Sequence, residues 1–280
     1  MSDIVRIQSI GMVHQFLGLP KPDHPLVSVI PVDDRIINYD YENARYVFDF
    51  YQINFKEGFS GHLQYGRNSY DFEEGTLVFI RPGQSFKVES REEVKGGSGW
   101  TLLFHPDLIR KSNLGQEIEQ YSFFDYEQHE ALHLSDREKN AITDLIKKIQ
   151  SEYQQNLDKY SQELIIANIE LLLKYCKRFY DRQFYTRTNL NKDVLTQFDQ
   201  IIRAYYSSEK PQLEGVLTVK ACAEALNLSV NYLGDLIRAE TGRKAKDHIQ
   251  DYVVEKAKTK LLGSNLPISQ IAYSLGFEYP

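Results

Sequence analysis

Apolar and polar positions change period along the chain. From about Val27 to Phe104, short runs rich in Val, Ile, Phe and Tyr are separated by Gly-containing turns, and helical periodicity is absent. Tyr46 to Ile53 is a long aromatic run with partial alternation. His62 to Tyr65 and Tyr70 to Phe72 read as two strands around Gly66-Arg67-Asn68-Ser69, and Gly75 to Ile80 reads as a strand entering the sharp corner Arg81-Pro82-Gly83-Gln84. Trp100 to Phe104 is a further strand, ended by Pro106. Several short strands at this spacing favour a barrel or sandwich. After Pro106 the period moves to about 3.6, clearly so from Ser135 onward. Ser135-Asp136-Arg137-Glu138 is a capping box that opens a helix to about Tyr153. A second helix, from near Tyr160 to Arg182, carries apolar residues too widely spread for one face. It needs two surfaces to pack on, its own barrel or helix partner and a second subunit; burial inside one chain is the alternative. Arg182 to Asn191 loses the periodicity and is the expected linker, and residues 195 to 280 read as helical with breaks at 207–214, Gly242 and Gly263.

Leu217 to Leu233 is the most informative stretch. Thr218 can cap a short helix, Ala223 is small enough for a close helix crossing, Asn227 tolerates the left-handed geometry that ends a helix, and Ser229 caps the next one. With Val219, Ala223, Leu226, Leu228, Leu233, Leu236 and Ile237 facing inward, this is a helix-turn-helix pattern. The pattern recurs at Leu266 to Phe277, where Ile271-Ala272 sits at the crossing and Leu275-Gly276-Phe277 forms the turn. One long helix, roughly Lys244 to Leu262, separates the two copies.

Composition narrows the choices. At 280 residues the length favours two domains, and 42% hydrophobic with 26% charged residues excludes disordered, collagen-like and coiled-coil chains. Nineteen Tyr and fifteen Phe fit a sheet-rich portion. Cys176 and Cys222 lie far apart without C-x-x-C spacing, so neither a disulfide framework nor a Cys-based zinc site is expected. The start of the chain has no signal-peptide run and no segment has the apolar length of a membrane span, which reads as a cytoplasmic protein without a membrane partner. Net charge is −6, and residues 190 to 280 hold 11 Lys+Arg against 11 Asp+Glu, so the whole acidic excess lies upstream.

Leu217-Thr218-Val219, Ala223-Glu224, Leu228-Ser229, Tyr232-Leu233, Thr241-Gly242, Glu255 to Lys258, Leu261-Leu262 and Ile268 to Phe277 together resemble the AraC/XylS family of bacterial transcription regulators, densely over about 65 residues. The resemblance implies an α+β chain: a cupin-like β-barrel with a helical dimerisation segment over 1–185, then an all-α helix-turn-helix DNA-binding domain over 186–280. Gly75 through Pro82-Gly83 looks like the family's barrel corner. Metal-binding cupins place a His-x-His pair and a downstream Glu before that corner and another His after it. Here His62 stands alone and Phe86 follows the corner, so neither a metal nor another cofactor is expected. The resemblance also implies a second recognition helix after Glu278-Tyr279-Pro280, beyond the sequence given; truncation is the expected reason rather than deletion.

In the first recognition helix, Val230, Asn231, Gly234, Asp235 and Arg238 lie opposite the inward stripe. The family pattern places Asn231, Gly234 and Asp235 near base edges and Arg238 near phosphate. Asn can pair bidentately with adenine, Asp can accept from cytosine, and Gly permits close backbone approach. Ser229, Arg243 and Lys244 complete the DNA-binding set, Lys246, Lys256, Lys258 and Lys260 follow on the bridging helix, and a solvated face is the plain alternative. Tyr46, Tyr51, His62 and Tyr65 are candidates for lining a small-molecule effector site in the barrel, with aromatic core as the alternative. The reading is a DNA-binding transcription regulator, a homodimer, not an enzyme, with double-stranded DNA, an effector and, for an activator, RNA polymerase as partners. A cupin-type enzyme with an accessory helical domain is the alternative; it needs a metal shell or a nucleophile and base, and the sequence offers neither.

Overall fold

The computed structural model describes residues 4–32, 45–65, 68–72, 75–86, 88–91, 97–155, 158–186 and 188–279, without the side chains of 59–72, 86–91, 128, 188–190 and 192. The chain divides into two compact units, Met1–Tyr180 and Asp181–Pro280. Unit one opens with β1 (Ile4–Ile7), α1 (Ile10–Phe16), β2 (Val27–Val32), β3 (Arg45–Phe48), β4 (Tyr51–Glu57), β5 (Phe59–Tyr65) and β6 (Asn68–Phe72). It continues with β7 (Thr76–Ile80), β8 (Ser85–Phe86), β9 (Val88–Arg91), β10 (Ser98–Phe104), α2 (Pro106–Ile109), α3 (Asn113–Glu117) and β11 (Leu132–His133).

Among the described residues these strands form three sheets. The largest is antiparallel in the order β11-β7-β4-β10-β2, beside β1-β3-β8 and β6-β5-β9. Its register explains its core: Phe55 stands opposite both Trp100 and Leu77, and Ile53 opposite both Leu102 and Phe79. All six are buried, because a period of two sends them to one face. The other face is polar in its middle, where Thr101 donates its hydroxyl to Asn54 Oδ1 at 2.8 Å.

Two helices follow. In α4 (Asp136–Gln154), Ile142, Leu145, Ile146, Ile149 and Tyr153 recur at helical spacing and are buried, and Tyr153 Oη accepts from the Val29 amide at 3.0 Å. Both bonds of the capping box at Ser135 and Glu138 are made. In α5 (Ser161–Thr186), the portion within unit one buries Ile165, Ile169, Leu172, Leu173 and Cys176 completely, while Leu164 and Leu171 stay 47% and 44% exposed. Short 3-10 turns ahead of β11 carry Phe123 and Phe124 onto Phe79, with ring centroids 4.5 and 5.6 Å away, and Tyr180 stacks on Phe123 at 5.6 Å.

Unit two takes in the end of α5 from Asp181 and is otherwise built from α6 (Thr188–Tyr206), α7 (Lys210–Glu214), α8 (Val219–Ala225), α9 (Val230–Thr241), α10 (Ala245–Gly263) and α11 (Ile268–Ser274). Three expectations are corrected. The aromatic run from Tyr46 to Ile53 is two strands in different sheets, separated at Asp49 and Phe50; the Asp49 carboxylate accepts from Arg6 Nε at 2.9 Å, and Phe50 is fully buried. The expected linker 182–191 is helical up to Thr186 and again from Thr188; it contains neither Gly nor Pro, and polarity alone does not break a helix. The expected break at 207–214 contains α7, whose Pro211 sits in the first turn, where proline's missing N–H costs nothing. The N-terminal β1 and α1 were outside the expected elements, although Ser9, which caps α1 by accepting from the Met12 amide, is a readable start signal.

Candidate nucleic-acid interface

Local chemistry shapes the first turn of unit two. Thr218 Oγ1 accepts from the Ala221 amide at 3.1 Å and starts α8. Past α8, the amides of Leu226 and Leu228 both reach the Ala223 carbonyl, at 3.1 and 2.9 Å, and the Asn227 amide reaches Glu224 at 3.2 Å. This folding-back needs a left-handed residue, and Asn227 supplies it with φ +54°. Ser229 then starts α9 by accepting from the Tyr232 amide at 3.1 Å.

The same three bonds recur after α11. The amides of Leu275 and Phe277 reach Ala272 at 3.0 and 3.1 Å, that of Gly276 reaches Tyr273 at 3.1 Å, and Gly276 has φ +91°. Ala223 and Ala272, Asn227 and Gly276, and Leu228 and Phe277 are therefore equivalent pairs. The two turns differ in what stands behind the left-handed residue. A Cβ built on Gly276 would lie 2.5 Å from the carbonyl carbon and oxygen of Gly215, so here only glycine lets two backbones meet. Sequence reasoning missed this contact, since Gly215 reads as an ordinary loop glycine.

On α9, Tyr232, Leu233, Leu236 and Ile237 are buried, Val230 and Arg238 are exposed, and Asn231, Gly234 and Asp235 are half-buried. A Cβ at Gly234 would meet nothing within 4 Å. Gly242, at φ +72°, returns its amide to the Arg238 carbonyl and ends the helix. Arg243 pairs with Asp251 at 2.6 Å, and Lys244, exposed, occupies the cap position of α10. Further along, Lys258 pairs with Glu255 at 2.7 Å, a hydrogen bond that holds the ammonium above the usual lysine range. Lys260 Nζ donates to Ser274 Oγ at 2.7 Å and ties α10 to α11. Two of the six basic residues expected to meet DNA on the bridging segment thus have carboxylate partners, and a third carries a structural bond. Val253 is buried.

Residues 222–280 match the family model described as a helix-turn-helix domain. The C-terminal segment is an AraC-type helix-turn-helix domain. An uncharacterized HTH-type transcriptional regulator of Escherichia coli (strain K12), YijO, is 24% identical over 170 residues, or 61% of this chain and 56% of its own length. The match therefore spans little more than half of that curated relative. Among solved structures, a 1.65 Å form of ToxT from Vibrio cholerae covers 90% of this chain and 89% of its own at 12% identity, with a TM-score of 0.24. ToxT of Vibrio cholerae O395 bound to (E)-4-(8-methylnaphthalen-1-yl)but-3-enoic acid covers 90% of each chain at 11% identity, also with a TM-score of 0.24. At that score neither establishes a shared arrangement of the whole chain.

Of the candidate effector residues of unit one, the side chains of Tyr46 and Tyr51 are described. Tyr46 is buried in a cluster with Ile7, Ile10, Val13, Ile30, Phe48, Phe50 and Leu103, its ring edge-on to Phe16. Tyr51 stacks on Phe104 at 4.9 Å and meets Phe124 edge-on at 5.0 Å; burial, then Glu119, pushes its phenol above the usual range. The Tyr46 ring is core, and the Tyr51 ring is half-buried. The side chains of His62 and Tyr65 lie outside the described residues, as does that of Phe86. Among the described residues, no group of three His, Cys, Asp or Glu could hold a metal, and no helix is long and apolar enough to cross a membrane. Cys176 and Cys222 are buried free thiols; burial raises both, Cys222 up to about 11.

Proposed function

We propose that this chain is a cytoplasmic, sequence-specific DNA-binding transcription regulator, not an enzyme, and that it presents α9 to the major groove. The observation that carries the reading is the doubled turn: two helix-turn-helix corners with the same three backbone bonds, joined by one long helix. A recognition helix needs a buried face for rigidity and an open face for bases, and α9 has both. Asn231 lies in its first turn and reads, whereas Arg238, about two turns on, holds phosphate.

The finer parts have their own supports. Homodimerisation through α5 is supported by Leu164 and Leu171, exposed along its length beside Tyr160. An effector held by unit one is supported by Gln52 and Thr76 on the polar face of the large sheet: both are buried, and among the described residues Gln52 Nε2 and Thr76 Oγ1 have no hydrogen-bond partner. Contact with RNA polymerase, for an activator, rests on the family resemblance.

Binding titrations across a salt series on specific and scrambled duplexes test the reading. Asn231→Ala costs about 1–3 kcal/mol on the preferred site and little on random DNA. Arg238→Ala weakens both alike and lowers the salt slope by about one. If the preference for specific over scrambled DNA survives Asn231→Ala unchanged, that residue does not read bases.

A further inference from the structure

The stretch between the end of α5 and the first turn of α6 grips α9 at both ends. Asn191 is 3% exposed, and its Nδ2 donates twice, to the Phe184 carbonyl and, at 2.9 Å, to Glu240 Oε1 in the last turn of α9. A side-chain amide has two hydrogens, so both are used inside the protein. Phe184, also buried, sets its ring 5.2 Å from that of Tyr232, in the first turn of α9. One polar bond and one aromatic contact thus fix the two ends of one helix from one place.

We propose that Asn191 and Phe184 are positioning residues for DNA specificity: they touch no base, and they set the tilt of α9 so that Asn231 and Asp235 meet base edges in register. This inference rests on the function proposed above. A twelve-residue helix is about 18 Å long, so pivoting by about 5° at one end moves the other by about 1.5 Å. Base hydrogen bonds tolerate only about 0.5 Å of heavy-atom range. Long Arg and Lys side chains absorb such a shift at phosphates. Loosening the grip therefore lowers specific binding and spares non-specific binding, which a merely destabilising change does not do.

The decisive variant is Asn191→Asp. A carboxylate cannot donate, and it would be buried facing the Phe184 carbonyl and the Glu240 carboxylate. The ratio of affinities for a duplex selected by the wild-type chain and for a scrambled one falls about tenfold, the scale of one base contact, with scrambled affinity within about twofold. Adding Glu240→Gln restores a donor across the same gap and returns most of the ratio. Phe184→Leu, milder, lowers the ratio by about threefold, and it serves with Asn191→Ser if Asn191→Asp fails to fold by circular dichroism. A folded Asn191→Asp protein with the wild-type ratio, or a loss that Glu240→Gln does not reverse, overturns the proposal. A wild-type chain that prefers no duplex instead refutes the DNA-reading function. Amide exchange in free protein then decides the positioning claim: faster exchange at both ends of α9 in Asn191→Asp supports it, and unchanged exchange overturns it.

Discussion

Replacing Gly276 by alanine adds one carbon where the structure has no room. That carbon would stand 2.5 Å from the Gly215 carbonyl carbon and oxygen and 2.8 Å from the Val216 nitrogen, all backbone atoms that no rotamer change can clear. Holding a non-glycine residue at φ +91° costs about 1–3 kcal/mol by itself. The opposing loop is also pinned: Tyr205 Oη donates to the Gly215 carbonyl at 2.8 Å, and Tyr206 Oη accepts from the Leu217 amide at 3.2 Å. Pushing it aside strains two hydrogen bonds worth about 0.5–1.5 kcal/mol each. A loss of about 3 kcal/mol follows, which lowers the melting temperature of a domain of this size by more than about 10 °C. Gly234→Ala is the matched control. Its Cβ meets nothing within 4 Å in a helix, so it stabilises α9 by about 0.5–1 kcal/mol. Scanning calorimetry of the full chain, following the transition assigned to unit two by amide exchange, reads both. Equal melting of Gly276→Ala and wild type refutes the backbone contact and the asymmetry between the turns.

Three further outcomes are open to measurement. Ser229→Ala removes the acceptor of the Tyr232 amide and lowers stability by about 1 kcal/mol in denaturant titration, whereas Ser229→Asp retains the cap. Both thiols are raised by burial, so Cys176 and Cys222 stay unreactive to Ellman's reagent at about pH 8 until the chain unfolds. Because the folded state holds these protons longer than the unfolded one, their contribution to stability is present below about pH 8.5 and fades above it. Leu171→Asp on the exposed side of α5 dissociates the proposed dimer in light scattering; a wild-type chain that is monomeric at tens of micromolar, about the range of such assays, removes that reading.

The sequence carried the helical half more fully than the sheet half. Thr218, Ser229, Asn227 and the Ser135 box are local signals, each readable within four residues, and each makes the bond it advertises. The split at Asp49 was not readable, because β3 pairs with β1 and β8 whereas β4 pairs with β7 and β10, partners that lie far off along the chain. The same holds for Gly276, whose meaning depends on Gly215, and for Asn191, whose partners lie on either side at positions 184 and 240. Tyr46 and Tyr51, grouped by residue type, part company because β3 and β4 belong to different sheets. Chemistry that depends on distant pairs is written in the fold, whereas caps and turns are written in order along the chain.

The ion pairs along α10 bear on how unit two finds its target. Residues 190–280 are electrically balanced, and Arg243 and Lys258 already face Asp251 and Glu255. Such a body projects little field beyond a Debye length of about 8 Å, and the acidic excess of the rest of the chain is repelled by a polyanion. On the proposed reading, encounter is then a matter of undirected collision, at no more than about 10⁵–10⁶ M⁻¹s⁻¹, rather than of capture from afar. On the proposed DNA-binding reading, discrimination then falls to dissociation: a correct site is recognised by how long the complex lasts once the proposed phosphate contacts, Arg238 and Lys244, are made.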